Sequence, residues 1–423
     1  MKKQRVLVVP AGTEVGLEIY RSLSGLKQYE LVGANSIIDR SSLLYDKFIA
    51  DVPFILEPEF VDRIKKIVAQ YNIDFIMPAH DDATVVLSQY RDTLGATLVC
   101  SPDATVKLVR SKSATYRALT GHVCVPELYL PENVISFPVI IKPDVGQGSK
   151  GVRLIRDREQ LVANFDSTSL ICEYLPGDEY TVDCFNNHKS ELLFVGPRIR
   201  KAMRNGIAIS TEAVADGGEF RQFAAAISKV LDIRGAWFFQ VRRRADGVLC
   251  LLEVAVRIAG SMALNRMRGV NFSELSILVQ QNVDLRCAAQ DFSIRMERSL
   301  DCAFCMDISF QSLYLDFDDC LLLANNKLNV DAVKLIVLCR NAKKRVVLIS
   351  RHAGDLKQKL LDLRIHDLFD EIIHITDKTP KSKYIPEEKI LFIDDSFAER
   401  YDVYINKKGY VFGVENIGYI TID

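Results

Sequence analysis

The sequence predicts an α/β protein of several domains, and three stretches carry that prediction. Residues 5–100 alternate short apolar runs with amphipathic segments, the pattern of an open parallel α/β domain. Residues 137–155 place an apolar run, a lysine and a glycine-rich loop ahead of a second β-rich run, and so open a region of longer strands. Between 312 and 395 three apolar runs each end in polar or acidic residues, as strands of a parallel sheet do at a ligand-binding edge. With 423 residues the chain has room for two or three domains, and 48% hydrophobic residues supply their cores.

The 54 basic and 55 acidic residues leave a net charge of −1, which gives no support to nucleic acid or an acidic membrane surface as partner. No apolar run approaches the roughly 18–20 residues of a membrane span. The basic start, Lys2, Lys3 and Arg5, leads into an apolar run over 6–9, too short for a signal peptide and read as a first strand. Ten cysteines are scattered, mostly within apolar segments, as in a cytoplasmic protein with reduced thiols. Cys302 and Cys305 form a lone CxxC, open to a metal or redox use and to a buried strand.

In order, 5–9 is a strand, 11–16 a tight turn and 17–26 a helix. A strand over 31–34, a helix over 60–71, a strand over 74–78 and a helix over 82–90 complete the first domain. Gly12 and Gly16 allow either a nucleotide-binding turn or close strand–helix packing. His80, Asp81 and Asp82 follow a strand's carboxyl end, where a substrate group and a helix N-cap are both open readings.

Beyond residue 101, Lys112 opens a helix over 113–119. The stretch 137–152, FPVIIKPDVGQGSKGV, reads as a buried strand that delivers Lys142 to a loop containing Gly146, Gly148, Ser149 and Gly151. Glycine admits positive φ and lets backbone amides approach an anion, so the hairpin suits a flap over a polyphosphate. It is neither a P-loop nor a dinucleotide fingerprint, because the lysine precedes the glycines and a strand follows them. Another strand, 169–174, runs into Glu173, Tyr174, Leu175 and a Pro-Gly turn, with Glu179 beyond. Strands 236–241 and 249–256 form a hairpin that carries Gln240, Glu253 and Arg257. Glu253 interrupts an apolar run, which calls for a cation or an ion pair, with Arg257 as the pairing alternative.

Lys112, Lys142 with its glycine loop, EYLPGDEYTVD at 173–183, Arg198-Ile199-Arg200, Gln240 and EVAVR at 253–257 occur in an order that resembles the ATP-grasp superfamily, in its carbamoyl phosphate synthase large-subunit-like branch. The resemblance covers about residues 1–300 and implies a Rossmann-like pre-ATP-grasp domain over 1–100 and an α+β ATP-grasp domain over 101–307. It implies that Lys112 and Lys142 hold the phosphates of ATP, that Gly146, Gly148 and Ser149 close over them, that Glu173, Tyr174 and Leu175 meet adenine, and that Glu179 meets ribose. Gln240 and Glu253 are the implied Mg²⁺ ligands, Ala255 stands where the family uses Asn, and Arg257 holds the acyl phosphate or oxyanion. Arg198 and Arg200 are candidates for the substrate carboxylate, with solvated surface arginines as the alternative.

Residues 308–423 form a third domain. The run SLYLDFDDCL at 312–321 ends in Asp316 and Asp318, strand 346–349 ends at Ser350, Lys381 and Lys383 follow, and strand 389–393 ends at Asp394 and Asp395. Acids crowded at one sheet edge repel one another unless a cation joins them, and Mg²⁺ suits their oxygens. The set resembles the haloacid dehalogenase-like (HAD-like) phosphohydrolases. That resemblance makes Asp316 the nucleophile, Asp318 the general acid/base, Ser350 and Lys381 (or Lys383) phosphate ligands, and Asp316, Asp318, Asp394 and Asp395 the Mg²⁺ site. Only 34 positions (350 − 316) separate Asp316 from Ser350, too few for a large cap.

The resemblances imply an ATP-dependent carboxylate–amine ligase working through an acyl phosphate, fused to a Mg²⁺-dependent phosphatase. The expected partners are a small carboxylate, an amine and a phosphorylated small molecule, with homodimerisation left open. The alternatives are an acyl- or carbamoyl-phosphate-forming enzyme without an amine, and a nucleotide sensor with a scaffold phosphatase-like domain.

Overall fold

A computed structural model describes residues 3–146, 148, 150–299, 304, 306–323 and 326–422. Ser149, Cys302 and Cys305 therefore lie outside the described residues. The chain divides into two compact units, residues 1–300 and 301–423.

The first unit begins with a five-stranded parallel sheet of β1 (Gln4–Val9), β2 (Tyr29–Ala34), β3 (Lys47–Ile49), β4 (Phe75–Pro78) and β5 (Thr97–Leu98), in the order β3-β2-β1-β4-β5. Both faces are covered. Leu7 and Val9 enter one apolar cluster, while Val6 and Val8 enter another, which explains an unbroken apolar run rather than an alternating one. The first helix spans Glu14–Leu23 and starts three residues before the expected 17–26, because Thr13 caps it by accepting from Gly16 N at 2.9 Å. A Cβ on Gly16 would lie 2.4 Å from Ala11 O, so its smallness serves strand–helix packing. Helix Asp81–Ser88 follows β4 directly, with His80 Nδ1 accepting from Asp82 N as its cap.

Two antiparallel sheets follow. The smaller, in the order β6-β9-β7-β8, contains β6 (Leu128–Tyr129), β7 (Val139–Pro143), β8 (Arg153–Ile155) and β9 (Ser169–Glu173). The larger, in the order β14-β13-β10-β11-β12-β15, contains β10 (Glu179–Asn186), β11 (Leu192–Arg204), β12 (Ile207–Ala213), β13 (Gly235–Arg243), β14 (Leu249–Ala255) and β15 (Arg295–Glu297).

In the second unit β16 (Ser312–Leu315) is central. A small hairpin, β17 (Leu322–Leu323) and β18 (Lys327–Leu328), precedes β19 (Arg345–Ser350), β20 (Glu371–His374), β21 (Ile390–Ile393) and β22 (Gly409–Phe412). The parallel order is β20-β19-β16-β21-β22, so three adjacent strands deliver Asp316, Ser350 and Asp394 to one edge. No helix among the described residues is long and apolar enough to cross a membrane.

Candidate functional site

Strand register assembles the first site. Thr181 on β10 pairs with Arg198 on β11 and with Gln240 on β13, and Gln240 pairs with Glu253 on β14. Directly paired residues share a face, so Arg198, Thr181, Gln240 and Glu253 form one row across four strands. One row over, Asp183 lies between Gly196 and Phe238, with Ala255 beyond. On the other side Glu179 is flanked by Arg242. The opposite face, with Val182, Cys184, Trp237, Phe239 and Val241, is apolar core.

A cavity of about 480 Å³ is lined by Arg198, Gln240 and Glu253 from this row and by Val15, Asp81 and Val109 from the N-terminal part. A smaller one of about 150 Å³ holds Lys142, Glu173, Leu175 and Glu179, and Tyr174 lines neither. Among the residues the two share are Lys112, Gly146, Gly148, Arg200, Gln240 and Glu253. The expected phosphate-binding and metal-binding residues thus meet where the cavities join.

Lys142 is buried at the end of β7, where Nζ donates to Tyr116 Oη at 2.6 Å and lies 5.0 Å from the ring centre. Tyr116 Oη in turn donates a hydrogen bond to Leu252 O at 2.6 Å. Asp144 accepts from Ser113 N and Ser111 Oγ, both at 2.7 Å, and so fixes helix Lys112–Leu119 against the same strand end. Lys112 Nζ reaches Asp144 O and Gly146 O at 3.4 and 3.5 Å, and burial pulls its pKa down. In the glycine loop Gly148 has φ +62°, and a Cβ on Gly206 would lie 2.2 Å from its backbone. The loop therefore rests on the turn between β11 and β12, a contact the sequence reading missed.

Glu253 forms no hydrogen bond or ion pair with any described residue, and burial pushes its carboxyl above the ordinary range against the pull of Lys112. The alternative ion pair with Arg257 is not formed. Arg257 pairs instead with Asp81, Nε–Oδ1 at 2.6 Å and Nη2–Oδ2 at 2.7 Å, and its Nη1 donates to Ile258 O at 2.9 Å. Burial raises the Asp81 carboxyl, but Arg257 outweighs it and holds the group below its usual value. Arg200 pairs with Glu179 and donates to Gln240 Oε1 at 3.2 Å, so Glu179 is already engaged. Glu173 accepts from Arg244 Nε at 2.7 Å. Arg198 is 1% exposed and bonds Asp183 at 3.0 and 3.1 Å, which replaces the reading of a solvated surface arginine. Gln240 and Glu253 offer two oxygens suited to Mg²⁺, and Ala255 offers none.

The second unit holds a separate cluster. Lys381 Nζ lies 2.6 Å from Asp316 Oδ1 and 2.6 Å from Asp394 Oδ2, all three side chains buried, while Lys383 is exposed. Burial pushes Asp316 to about 7 even against Lys381 and also raises Asp394, whereas the two carboxylates hold Lys381 above its ordinary value despite burial. Ligand atoms of Asp316, Cys320 and Asp395 lie within 4.8 Å of one another. The two carboxylates fit Mg²⁺, but a thiol is a poor ligand for so hard a cation. Asp318 turns elsewhere, to His352 Nδ1 at 2.9 Å. The His352 N–H donates to Ser350 Oγ at 3.2 Å, so one residue, absent from the sequence reading, holds two of the expected catalytic groups.

Residues 165–301 match a family model described as ATP-grasp in the biosynthetic pathway with Ter operon. That segment, about a third of the chain, is similar to the ATP-grasp family. The match spans β9 to β15 and so contains the Arg198–Glu253 row. Among solved structures, this chain resembles the biotin carboxylase domain of Hydrogenobacter thermophilus 2-oxoglutarate carboxylase, in complex with MgADP, ADP and bicarbonate, at TM-score 0.60 and 16% identity over 69% of this chain and 72% of that one. An L-amino acid ligase from Bacillus licheniformis gives 0.54 and 18% over 67% and 74%. N5-carboxyaminoimidazole synthetase from Staphylococcus aureus gives 0.55 and 14% over 67% and 79%. At these identities the likeness is one of fold. No curated sequence matches the chain at a significant level.

Proposed function

We propose that the first unit is an ATP-dependent carboxylate–amine ligase and the second a Mg²⁺-dependent phosphohydrolase of the HAD-like type. In this reading 1–100 is the pre-ATP-grasp domain, 101–307 the ATP-grasp domain and 308–423 the phosphatase. The observation that carries the ligase reading is Glu253, a half-buried acid with no hydrogen-bond or ion-pair partner among the described residues, beside Gln240 where the two cavities join.

Lys142 and Lys112 hold phosphate oxygens, with Gly146, Gly148 and Ser149 folding over them, and Glu173, Leu175 and Glu179 line the adenosine side. Gln240 and Glu253 would hold Mg²⁺, which would supply charge neutralisation to the transferring phosphoryl group. A substrate carboxylate oxygen attacks the γ-phosphorus and ADP leaves. The amine nitrogen then attacks the acyl carbon, the C–N bond forms, the C–O bond to phosphate breaks, and one N–H proton passes to phosphate or water. Arg257, held rigid by Asp81, lies along the wall where negative charge develops.

In the second unit Asp316 attacks phosphorus while Lys381 screens it, Asp318 protonates the leaving oxygen, and water then releases phosphate. Asp394 and Asp395 would hold Mg²⁺ with Asp316, and Ser350 binds a phosphoryl oxygen. Homodimerisation is part of the proposal and light scattering tests it. ADP release measured against a panel of acids and amines decides the ligase reading: it requires both partners together. Release with the acid alone would make the unit an acyl-phosphate former, and binding without release a sensor, which Ala255 favours by supplying no metal oxygen.

A further inference from the structure

Glu253 owes its orientation to an irregularity in its strand. Along β13 and β14 Gln240 pairs with Glu253 but Val241 pairs with Leu251, so Leu252 is an extra residue with no partner on β13. In an unbroken strand Glu253 would share a face with Leu251, and Leu251 lies in the apolar core with Val241 and Leu249. The bulge at Leu252 lets Leu251 keep the core face while Glu253 turns with Gln240 to the cavity. Because β14 is the edge of its sheet, no further strand of that sheet holds the bulge in place.

One side chain does hold it. Tyr116 Oη donates to Leu252 O at 2.6 Å across 136 positions, and Leu251 N donates to Cys124 O at 2.9 Å just beyond the same helix. The phenol also accepts from Lys142 Nζ at 2.6 Å, with the ammonium 5.0 Å from the ring centre. Its proton is committed to Leu252, so toward the ammonium the oxygen acts as acceptor only. Tyr116 is buried, and burial pushes its pKa well above the ordinary value, which keeps the phenol neutral. An ammonium carries three N–H donors, so one spent on Tyr116 leaves two for a ligand. The helix that carries Tyr116 is fixed to the same strand end, Lys112 N donating to Asp144 O at 3.1 Å.

We infer that Tyr116 is a positioning residue: it pins the bulge that presents Glu253 and holds Lys142 beside it, so that the lysine of the small sheet and the acid of the large sheet keep a set spacing where the cavities join. This rests on the ATP-grasp reading, in which Lys142 meets phosphate and Glu253 would hold Mg²⁺, and it adds a residue to that site.

The first measurement needs no nucleotide. Acetic anhydride is used to acylate Lys142 in the empty full chain, with exposed Lys229 as internal reference. Tyr116→Phe keeps the ring and removes both hydrogen bonds, so Lys142 should react roughly 3- to 10-fold faster while Lys229 is unchanged. Calorimetry with a non-hydrolysable ATP analogue follows. In EDTA the variant should bind roughly 3- to 10-fold more weakly than the parent, and the difference should disappear in a Lys142→Met background. Added Mg²⁺ should widen it, and Glu253→Gln should remove the widening. Unchanged acylation, or a loss that adds in full to that of Lys142→Met, overturns the inference. If Tyr116→Phe fails to fold, a crystal structure of the parent with Mg²⁺ and the analogue decides: Tyr116 Oη must stay within about 3.2 Å of both Lys142 Nζ and Leu252 O. A parent that binds no analogue would sink the ATP reading, and the acylation rates would still decide the role of Tyr116.

Discussion

Lys142→Met should weaken nucleotide binding while leaving the empty protein as stable as before or more so. Lys142 is 7% exposed, and its ammonium has a neutral phenol as hydrogen-bond partner, with no carboxylate in ion-pair reach among the described residues. A buried charge without a counterion is unfavourable, and the Tyr116 contacts recover only part of that cost, about 1–2 kcal/mol for the cation–π component. Methionine fills much the same volume, and Tyr116 keeps its bond to Leu252 O. Stability of the empty protein should therefore stay level or rise by about 1–2 kcal/mol, a melting shift of roughly 2–5 °C. With ATP bound the lost charge-assisted hydrogen bond should cost about 1.5–3 kcal/mol, a 10- to 150-fold weaker Kd. Scanning calorimetry without nucleotide and titration with a non-hydrolysable ATP analogue measure the two effects. A structural lysine would give the opposite pair, a lower melting point and unchanged affinity, and that result would refute the reasoning.

Ala255→Asn should raise metal-dependent ATP turnover or leave it level, at a stability cost of up to ~1–3 kcal/mol if the amide finds no partner; a well-folded variant with clearly lower turnover would show a different metal arrangement. Asp316→Asn should abolish phosphate release from an aryl phosphate and leave ATP binding to the first unit untouched, and Asp318→Asn should cost roughly 10²–10⁴-fold. His352→Ala should slow alkyl phosphates more than p-nitrophenyl phosphate, since only a poor leaving group depends on a well-aimed Asp318, and His352→Asn should recover part of the loss. Lys381→Met should destabilise the second unit by about 3–5 kcal/mol, read as a lower melting temperature, because two buried carboxylates lose their shared cation. Added Mg²⁺ should restore some of it.

The sequence by itself determined the elements and the chemistry at their ends. The runs over 6–9 and 74–78 read as strands, and the runs before Lys142, Asp316 and Asp394 likewise placed each polar residue at a strand's end; that β1 is covered on both faces came from the tertiary structure. Local capping moved boundaries only slightly, as where Thr13 starts a helix three residues early. The partners were decided by tertiary structure alone. Arg257 is joined to Asp81 across 176 positions, Arg198 to Asp183 across 15, and Asp318 to His352 across 34. Nothing in the residue types prefers these pairings to Arg257 with Glu253 or to a solvated Arg198. Side-chain chemistry states what a residue can bind, but which group it meets depends on strand register and on how separate segments pack. A shift of one residue in register would turn Arg198 away from Asp183 and into the apolar core, so the burial of the opposite face, spread over the whole sheet, fixes the site.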